Sequence, residues 1–239
     1  MAFPARQTLD EPWPASSASG PGAILATLPK GSVWQANRIA HGPGEARSSG
    51  FAALDRELPG GGWPSGALIE LLLDRPGAGE LSLLLPLLGS TPAERWIVWV
   101  APPLLPYAPA LLRAGVPLSR LLLIQPRRSE DALWAARQAA ASGSCSAVLA
   151  WMRKLDNAAL RRLQLAAEDS ATPVFLFRPR SAGGQASPSP LRLALSPAGE
   201  QLRIDILKRR GPPPARPVML TIHSDPQRDP VRPGLRLAS

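Results

Sequence analysis

Short runs of consecutive apolar residues alternate with longer stretches in which apolar residues recur at helical spacing. The short runs predict five strands, at residues 67–73, 96–101, 121–125, 147–152 and 174–177. The stretches between them predict helices at residues 80–88, 104–114, 130–141 and 156–169, with Ser129 and Asp156 as N-caps of the last two. Strands that are apolar throughout and alternate with helices indicate an α/β fold: a mostly parallel, twisted sheet with helices on both faces.

The pattern changes after Arg180. Residues 181–190 are rich in Gly, Ser and Pro and predict a mobile loop. The apolar runs 191–195 and 202–207 flank a Ser-Pro-Ala-Gly-Glu turn and predict a β-hairpin at one edge of the sheet. We therefore expect a disordered N-terminal segment (1–30), an α/β domain (31–210) that starts with a docking element at 33–40, and a basic, poorly ordered Pro/Arg-rich tail (211–239).

Charge is distributed unevenly along the chain. The formal net charge is +9, and the segment from Arg178 onward contains eleven Arg or Lys residues against four acidic residues. A basic C-terminal third is typical of a protein that binds nucleic acid or an acidic protein face, but a solvated tail that only maintains solubility has the same composition. Both interpretations stay open at this point.

Other residue types exclude several classes of protein. The single Cys145 cannot form an internal disulfide and precedes a strand, so we expect a buried structural thiol in a reducing cytoplasm. No apolar stretch reaches the ~18 residues of a membrane span, and none follows Met1 as in a signal peptide. His41 and His223 are isolated, so no metal site is expected.

The turn between the first strand and the first helix of the alternating region is where a phosphate-binding loop of the form G-x-x-x-x-G-K-[ST] would lie. Residues 74–81 read Asp-Arg-Pro-Gly-Ala-Gly-Glu-Leu, with Gly77 inside the turn and Gly79 matching the second glycine. The remaining motif positions depart from the pattern: Asp74 replaces the first glycine, Glu80 the lysine and Leu81 the hydroxyl residue. The loop is therefore degenerate.

These departures predict that the chain is not an enzyme and has no cofactor. A carboxylate ~5 Å from one phosphate charge is repelled by about 3 kcal/mol at an effective dielectric near 20. Leu81 cannot ligate Mg²⁺, Trp151 follows the strand that would end in a metal-facing acid, and no carboxylate follows the second strand. The alternative is an atypical P-loop ATPase acting on DNA, with Arg75 as the phosphate cation.

Three segments resemble the ImuA family, RecA-like proteins associated with translesion DNA synthesis. They are residues 49–67 (SGFAALDRELPGGGWPSGA), 111–116 (LLRAGV) and 207–211 (LKRRG), and the likeness extends over roughly 33–211. The resemblance implies a RecA-like core and a role in SOS-induced mutagenesis. The partners it implies are ImuB, which is a catalytically inactive relative of Y-family polymerases, an error-prone polymerase III alpha-type subunit, and RecA. No catalytic residue carries over.

We therefore predict a cytoplasmic, non-catalytic adaptor. A further hypothesis is direct binding of single-stranded DNA, by the loop 181–190 with Arg178, Arg180 and Arg192, and by phosphate contacts from Lys208, Arg209 and Arg210. The last three residues can equally be a charge cluster that protects a sheet edge. Among the tryptophans, Trp96, Trp99 and Trp151 are predicted in the core, whereas Trp63 is a candidate partner contact.

Overall fold

The computed structural model describes residues 46–212, 214 and 216–222. The strands are β1 (Leu68–Leu73), β2 (Trp96–Val100), β3 (Leu121–Ile124), β4 (Cys145–Trp151), β5 (Val174–Pro179), β6 (Leu191–Ala198), β7 (Gln201–Lys208) and β8 (Val218–Thr221). The helices are α1 (Ala52–Asp55), α2 (Glu80–Gly89), α3 (Ala108–Arg113), α4 (Ser129–Ala141) and α5 (Asn157–Ser170), with short 3₁₀ helices at Leu118–Arg120 and Arg180–Gly184.

The eight strands form one sheet in the order β3-β2-β4-β5-β1-β6-β7-β8. Neighbours from β3 to β6 are parallel, whereas β6, β7 and β8 pair antiparallel. The predicted mixed α/β architecture and the β6–β7 hairpin are confirmed. The hairpin does not end the sheet, because β8 adds one more strand outside β7.

Two apolar layers cover the faces of the sheet. Ile69, Leu71 and Leu73 point into one layer together with residues of α2, α3 and the antiparallel strands. Leu68 points into the opposite layer, which α4 and α5 cover with alanine and leucine side chains. All six residues of β1 are buried, as expected for a central strand with helices on both sides.

The helix termini agree with the prediction at one of the two expected caps. The Asp156 carboxylate accepts a hydrogen bond from the backbone N–H of Ala159 at 2.6 Å, so Asp156 is the N-cap of α5 as predicted. Ser129 is not the N-cap of α4, because the helix starts at Ser129 itself and Arg128 precedes it without a side-chain cap. Helix α3 is shorter than the predicted 104–114.

Two segments contain regular secondary structure that the sequence does not predict. The segment 181–190, for which a mobile loop is expected, begins within a 3₁₀ helix at Arg180–Gly184, and Ser189 donates to the carbonyls of Leu68 and Leu191 at 2.6 and 2.7 Å. The prediction of a poorly ordered tail at 211–239 is wrong at Val218–Thr221, because these residues form β8 and pair with β7. The expected disordered segment 1–30, the docking element 33–40, His41 and His223 lie outside the described residues.

Burial also decides the roles of several single residues. Trp63 is 1% exposed and packs edge-on against Phe175, so the expectation of a partner contact at Trp63 is wrong. Trp99 is fully buried as predicted, whereas Trp96 is 38% exposed. Cys145 is buried, and burial raises the pKa of its thiol, which keeps it protonated at neutral pH. No helix in the described part of the chain has the length and apolarity of a membrane span.

Candidate functional site

A small cavity lies beside the turn between β1 and α2, at the carboxyl ends of the parallel strands where α/β folds bind ligands. Its volume is about 230 Å³. We call it the loop cavity, and define it by its lining residues: Pro76, Gly77, Gly79, Glu80, Leu81, Ser82, Trp99, Pro102, Pro103, Leu104 and Trp151. None of these lining residues is basic.

The Glu80 side chain is hydrogen-bonded to the backbone of the turn. Gly77 and Gly79 adopt left-handed backbone angles, with φ of 82° and 98°, which glycine reaches without strain. The Glu80 side chain is buried, and its Oε1 accepts a hydrogen bond from the Gly77 N–H at 2.8 Å. Its Oε2 is buried without a partner among the described residues. A backbone amide of the kind that binds phosphate is therefore occupied by the chain's own carboxylate.

The neighbouring positions of the turn also lack groups for a triphosphate. Leu81 is half-buried and packs against the apolar core. Asp74 and Arg75 are exposed, and neither lines the loop cavity. Arg75 is thus not placed at the position that the alternative ATPase hypothesis requires.

Aromatic rings occupy the strand ends below the turn. The ring centroids of Trp99 and Trp151 lie 5.6 Å apart, and Trp151 stacks on Phe177 at 4.4 Å. The indole N–H groups of Trp99 and Trp151 are buried without partners among the described residues. The loop cavity therefore suits an apolar group better than a hydrated metal or a phosphate.

Large apolar residues are exposed next to the loop cavity. Leu104, Leu105 and Tyr107 are each about 70% exposed and follow directly after β2. The sequence prediction placed Leu104 and Leu105 in a helix, although Pro102, Pro103 and Pro106 flank them and disfavour one. Exposed apolar residues of this size mark surfaces that bind other macromolecules.

Two of the six basic candidates from the sequence are buried. The Arg178 and Arg192 guanidinium groups both donate to Glu70 Oε2, at 3.0 and 3.3 Å. The hypothesis that they flank an exposed DNA-binding loop is wrong, because both side chains are buried and paired with Glu70. Arg192 lies directly opposite Glu70 in the strand register, whereas Arg178 lies opposite Leu72. Arg178 is reachable only from the base of a groove, and Arg192 donates its other hydrogen bonds to the carbonyls of Ala182, Gly183 and Gln185.

Three of the other four basic candidates have partners within the chain. Arg180 lies 3.7 Å from Asp205, and Lys208 donates to the Ser187 carbonyl at 2.8 Å. Arg209 pairs with Glu57 at 2.9 Å, and Arg210 is exposed. Their direct contact with DNA stays a prediction.

Known proteins resemble this chain in two ways. The protein ImuA of Caulobacter vibrioides strain NA1000 is 30% identical over 178 residues, which cover 72% of this chain and 72% of that protein. The chain belongs to the ImuA family. The ImuA of a second Caulobacter vibrioides strain, ATCC 19089, matches with the same identity and coverage. The resemblance expected from residues 49–67, 111–116 and 207–211 is thereby confirmed.

The ImuA-like chain also shares a segment with another family. The family model "Cell division inhibitor SulA" matches residues 67–173, from β1 through α5. The cell division inhibitor SulA of Photorhabdus laumondii is 33% identical over 106 residues, which cover 44% of this chain and 60% of that protein. The crystal structure of SulA from Pseudomonas aeruginosa aligns at 28% identity and a TM-score of 0.40, over 46% of this chain and 96% of that one.

Proposed function

We propose that this chain is a non-catalytic accessory protein of SOS-induced translesion synthesis, built on a RecA-like core. The observation that carries the proposal is the match to ImuA over 72% of both chains. The mostly parallel sheet with an antiparallel edge agrees with the expected core. As the family resemblance implies, the partners are an ImuB-like inactive polymerase homologue, an error-prone polymerase III alpha-type subunit and RecA.

Electrostatics at the loop cavity support the proposed absence of nucleotide chemistry. A triphosphate would have to displace the Glu80 carboxylate from the Gly77 N–H without a lysine to compensate. Because each ~1.4 kcal/mol is a tenfold change in affinity, repulsion of about 3 kcal/mol per phosphate charge at ~5 Å removes useful ATP binding. The exposed Leu104, Leu105 and Tyr107 instead support action through protein binding.

A genetic experiment tests the biological role. We expect deletion of the gene in its host to reduce ultraviolet-induced mutation to rifampicin resistance to the uninduced level, and a plasmid copy to restore it. Survival and spontaneous mutation in the undamaged strain are the controls. Unchanged induced mutation in the deletion strain would refute the proposal.

Calorimetric titration with Mg-ATP separates the adaptor from the alternative ATPase acting on DNA. The adaptor predicts no measurable heat of binding at tens of micromolar protein, because Glu80 occupies the turn. Micromolar binding, or a turnover that Arg75→Ala abolishes, would instead support the ATPase.

The match of residues 67–173 to the SulA model favours one second candidate, inhibition of cell division. Overproduction in undamaged cells tests it, because a division inhibitor blocks septation and produces filaments. Filaments without any change in induced mutation would favour this candidate over the mutagenesis role. Normal cell length at the same protein level would eliminate it.

A further inference from the structure

A second, larger depression is formed by a different set of residues from the loop cavity. We call it the basic groove; its volume is about 510 Å³, and it shares no lining residue with the loop cavity. It is formed by the segment after β4, the first turns of α4 and α5, and the end of β5. Its lining residues are Ser129, Glu130, Leu133, Arg153, Lys154, Leu155, Asp156, Ala159, Arg162, Arg178 and Gln185.

Positive charge dominates the basic groove. Arg153, Lys154 and Arg162 are exposed, and in the described part of the chain none of them forms an ion pair within 4 Å. The two acidic lining residues are already engaged. Glu130 pairs with Arg128 at 2.9 Å, and Asp156 accepts the capping hydrogen bond of α5. Four cations thus line the groove against two carboxylates, and neither carboxylate forms an ion pair with Arg153, Lys154 or Arg162.

The base of the groove adds a buried charge. Glu70, Arg178 and Arg192 have side chains that are 0%, 1% and 7% exposed, and the one carboxylate serves both guanidinium groups. Ser187 also donates its hydroxyl to Glu70, but it carries no charge. Two cations on one anion leave one excess positive charge in the interior, where an uncompensated charge is costly. An anion in the groove would reduce that cost.

Arg178 has a donor available for such an anion. Its two terminal nitrogens donate to Glu70 and to Gln185, at 3.0 and 3.1 Å. Its Nε is buried and has no partner among the described residues, and both Arg178 and Gln185 line the groove. A buried, incompletely paired guanidinium in a groove that three free cations also line suits a phosphate-containing ligand.

An exposed aromatic ring on α4 distinguishes among phosphate-containing ligands. Trp134 is 61% exposed on α4. It is not a lining residue of the groove, but it lies one helical turn after the lining residue Glu130 on α4. A basic groove beside an exposed aromatic ring is the arrangement by which proteins hold single-stranded nucleic acid, with phosphates on the cations and a base stacked on the ring.

We propose that the basic groove binds single-stranded DNA, with backbone phosphates on Arg153, Lys154 and Arg162 and a base on Trp134. The choice of DNA over RNA rests on the proposed function, whereas the phosphate and stacking chemistry rests on the groove itself. The proposed binding surface is thus formed by α4, α5 and the segment after β4, and does not require Lys208, Arg209 or Arg210.

The proposal is tested by measuring the Kd of the purified full-length chain for a fluorescently labelled oligo-dT of thirty nucleotides by fluorescence anisotropy. Arg162→Ala is expected to weaken binding and to lower the slope of log Kd against log salt by about 0.7, the value for one lost phosphate contact on a single strand. Arg161→Ala is the matched control, because it removes the same charge from the neighbouring exposed position outside the groove. We expect its Kd to stay within about twofold of wild type.

Trp134→Ala tests the single-strand preference. Loss of one stacked base is expected to raise the Kd about five- to 150-fold, while duplex DNA of the same length binds no better to wild type than to the variant. Both substitutions are at exposed positions, so folding is preserved, and circular dichroism checks this. Arg178 is left intact because it is buried in the core, where its removal would leave a cavity and break its hydrogen bonds to Glu70 and Gln185.

Several results would overturn the inference: no binding of oligo-dT by wild type, equal weakening by Arg161→Ala and Arg162→Ala, or an unchanged Kd for Trp134→Ala. Tighter binding of oligo-U than oligo-dT would overturn the choice of DNA. Each of these outcomes leaves the proposed function standing, because that is tested by deletion of the gene. Failure of the deletion test would in turn leave measured oligo-dT binding unaffected.

Discussion

Glu70 provides the buried negative charge that pairs with two buried arginine side chains. It lies in the middle of β1, is fully buried, and holds Arg178 from β5 and Arg192 from β6, the two strands that pair with β1. The hydrogen-bonded trio therefore links three adjacent strands through their side chains. A buried charge of this kind is tolerated only while its partners are present.

Glu70→Gln should destabilise the fold strongly, because it keeps the shape of the side chain but leaves two guanidinium groups without a counter-charge. We expect the free energy of unfolding in urea to fall by about 3–5 kcal/mol. Asp205→Asn is the control, because it removes a carboxylate whose partners Arg180 and Arg203 are at the surface, and should cost at most about 1 kcal/mol. Equal losses for the two variants would contradict this assignment.

Helix α2 shows how closely the elements approach one another. A Cβ atom added at Gly89, the last residue of α2, would lie 2.6 Å from the carbonyl oxygen of Ala114. That oxygen belongs to the turn after α3, so the glycine permits contact between the end of α2 and this turn. The close approach fixes how α2 and α3 cover one face of the sheet.

Gly89→Ala should therefore destabilise the protein, although alanine is the better helix former. The clash is with backbone, which cannot rotate away, so we expect a loss of about 1–3 kcal/mol in urea unfolding. Gly184→Ala serves for comparison, since a Cβ there meets nothing within 4 Å and should change stability by less than about 0.5 kcal/mol. A neutral Gly89→Ala would show that the turn can move.

The elements differ in how well the sequence predicts them. The parallel strands and the helices α4 and α5 follow from local patterns, because a strand buried on both faces is apolar throughout and an Asp N-cap acts on its own helix. Strand β8 is not evident locally, because it follows a Pro-rich segment and is formed only by pairing with β7.

The candidate sites could be predicted only in part. The position and degeneracy of the turn at 74–81 are readable in the sequence, but its closure by the Glu80–Gly77 hydrogen bond requires coordinates. A basic residue also looks the same in a sequence whether it faces solvent or a distant carboxylate. Arg178 and Arg192 are buried and pair with a glutamate more than one hundred residues earlier in the chain, whereas Arg153, Lys154 and Arg162 are exposed.

At the scale of the whole molecule, β8 extends the domain beyond its predicted boundary at residue 210. Val218 and Leu220 are buried against the same apolar layer as α2. Ile222, directly after β8, reaches the turn at Gly79, where an added Cβ would lie 2.9 Å from its Cδ1. The segment after β7 therefore supports both the sheet edge and the loop cavity.

Truncation tests this boundary. A chain that ends at Arg210 should lose at least about 3 kcal/mol of unfolding free energy, since two aliphatic side chains contribute about 1.5–3 kcal/mol each on burial. A chain that ends at Ile222 is the matched comparison, because it keeps every described residue. Equal urea midpoints for the two chains would show that β8 adds nothing to the fold.

The carboxylate of Glu80 has a consequence for regulation under the proposed function. Proteins with a working phosphate-binding loop usually change conformation as they bind and hydrolyse a nucleotide, so they respond to the nucleotide concentration in the cell. A turn that permanently carries its own anion receives no such signal. The activity of this protein in the cell would then depend on its abundance, which is set by how many copies the cell makes and how quickly it degrades them.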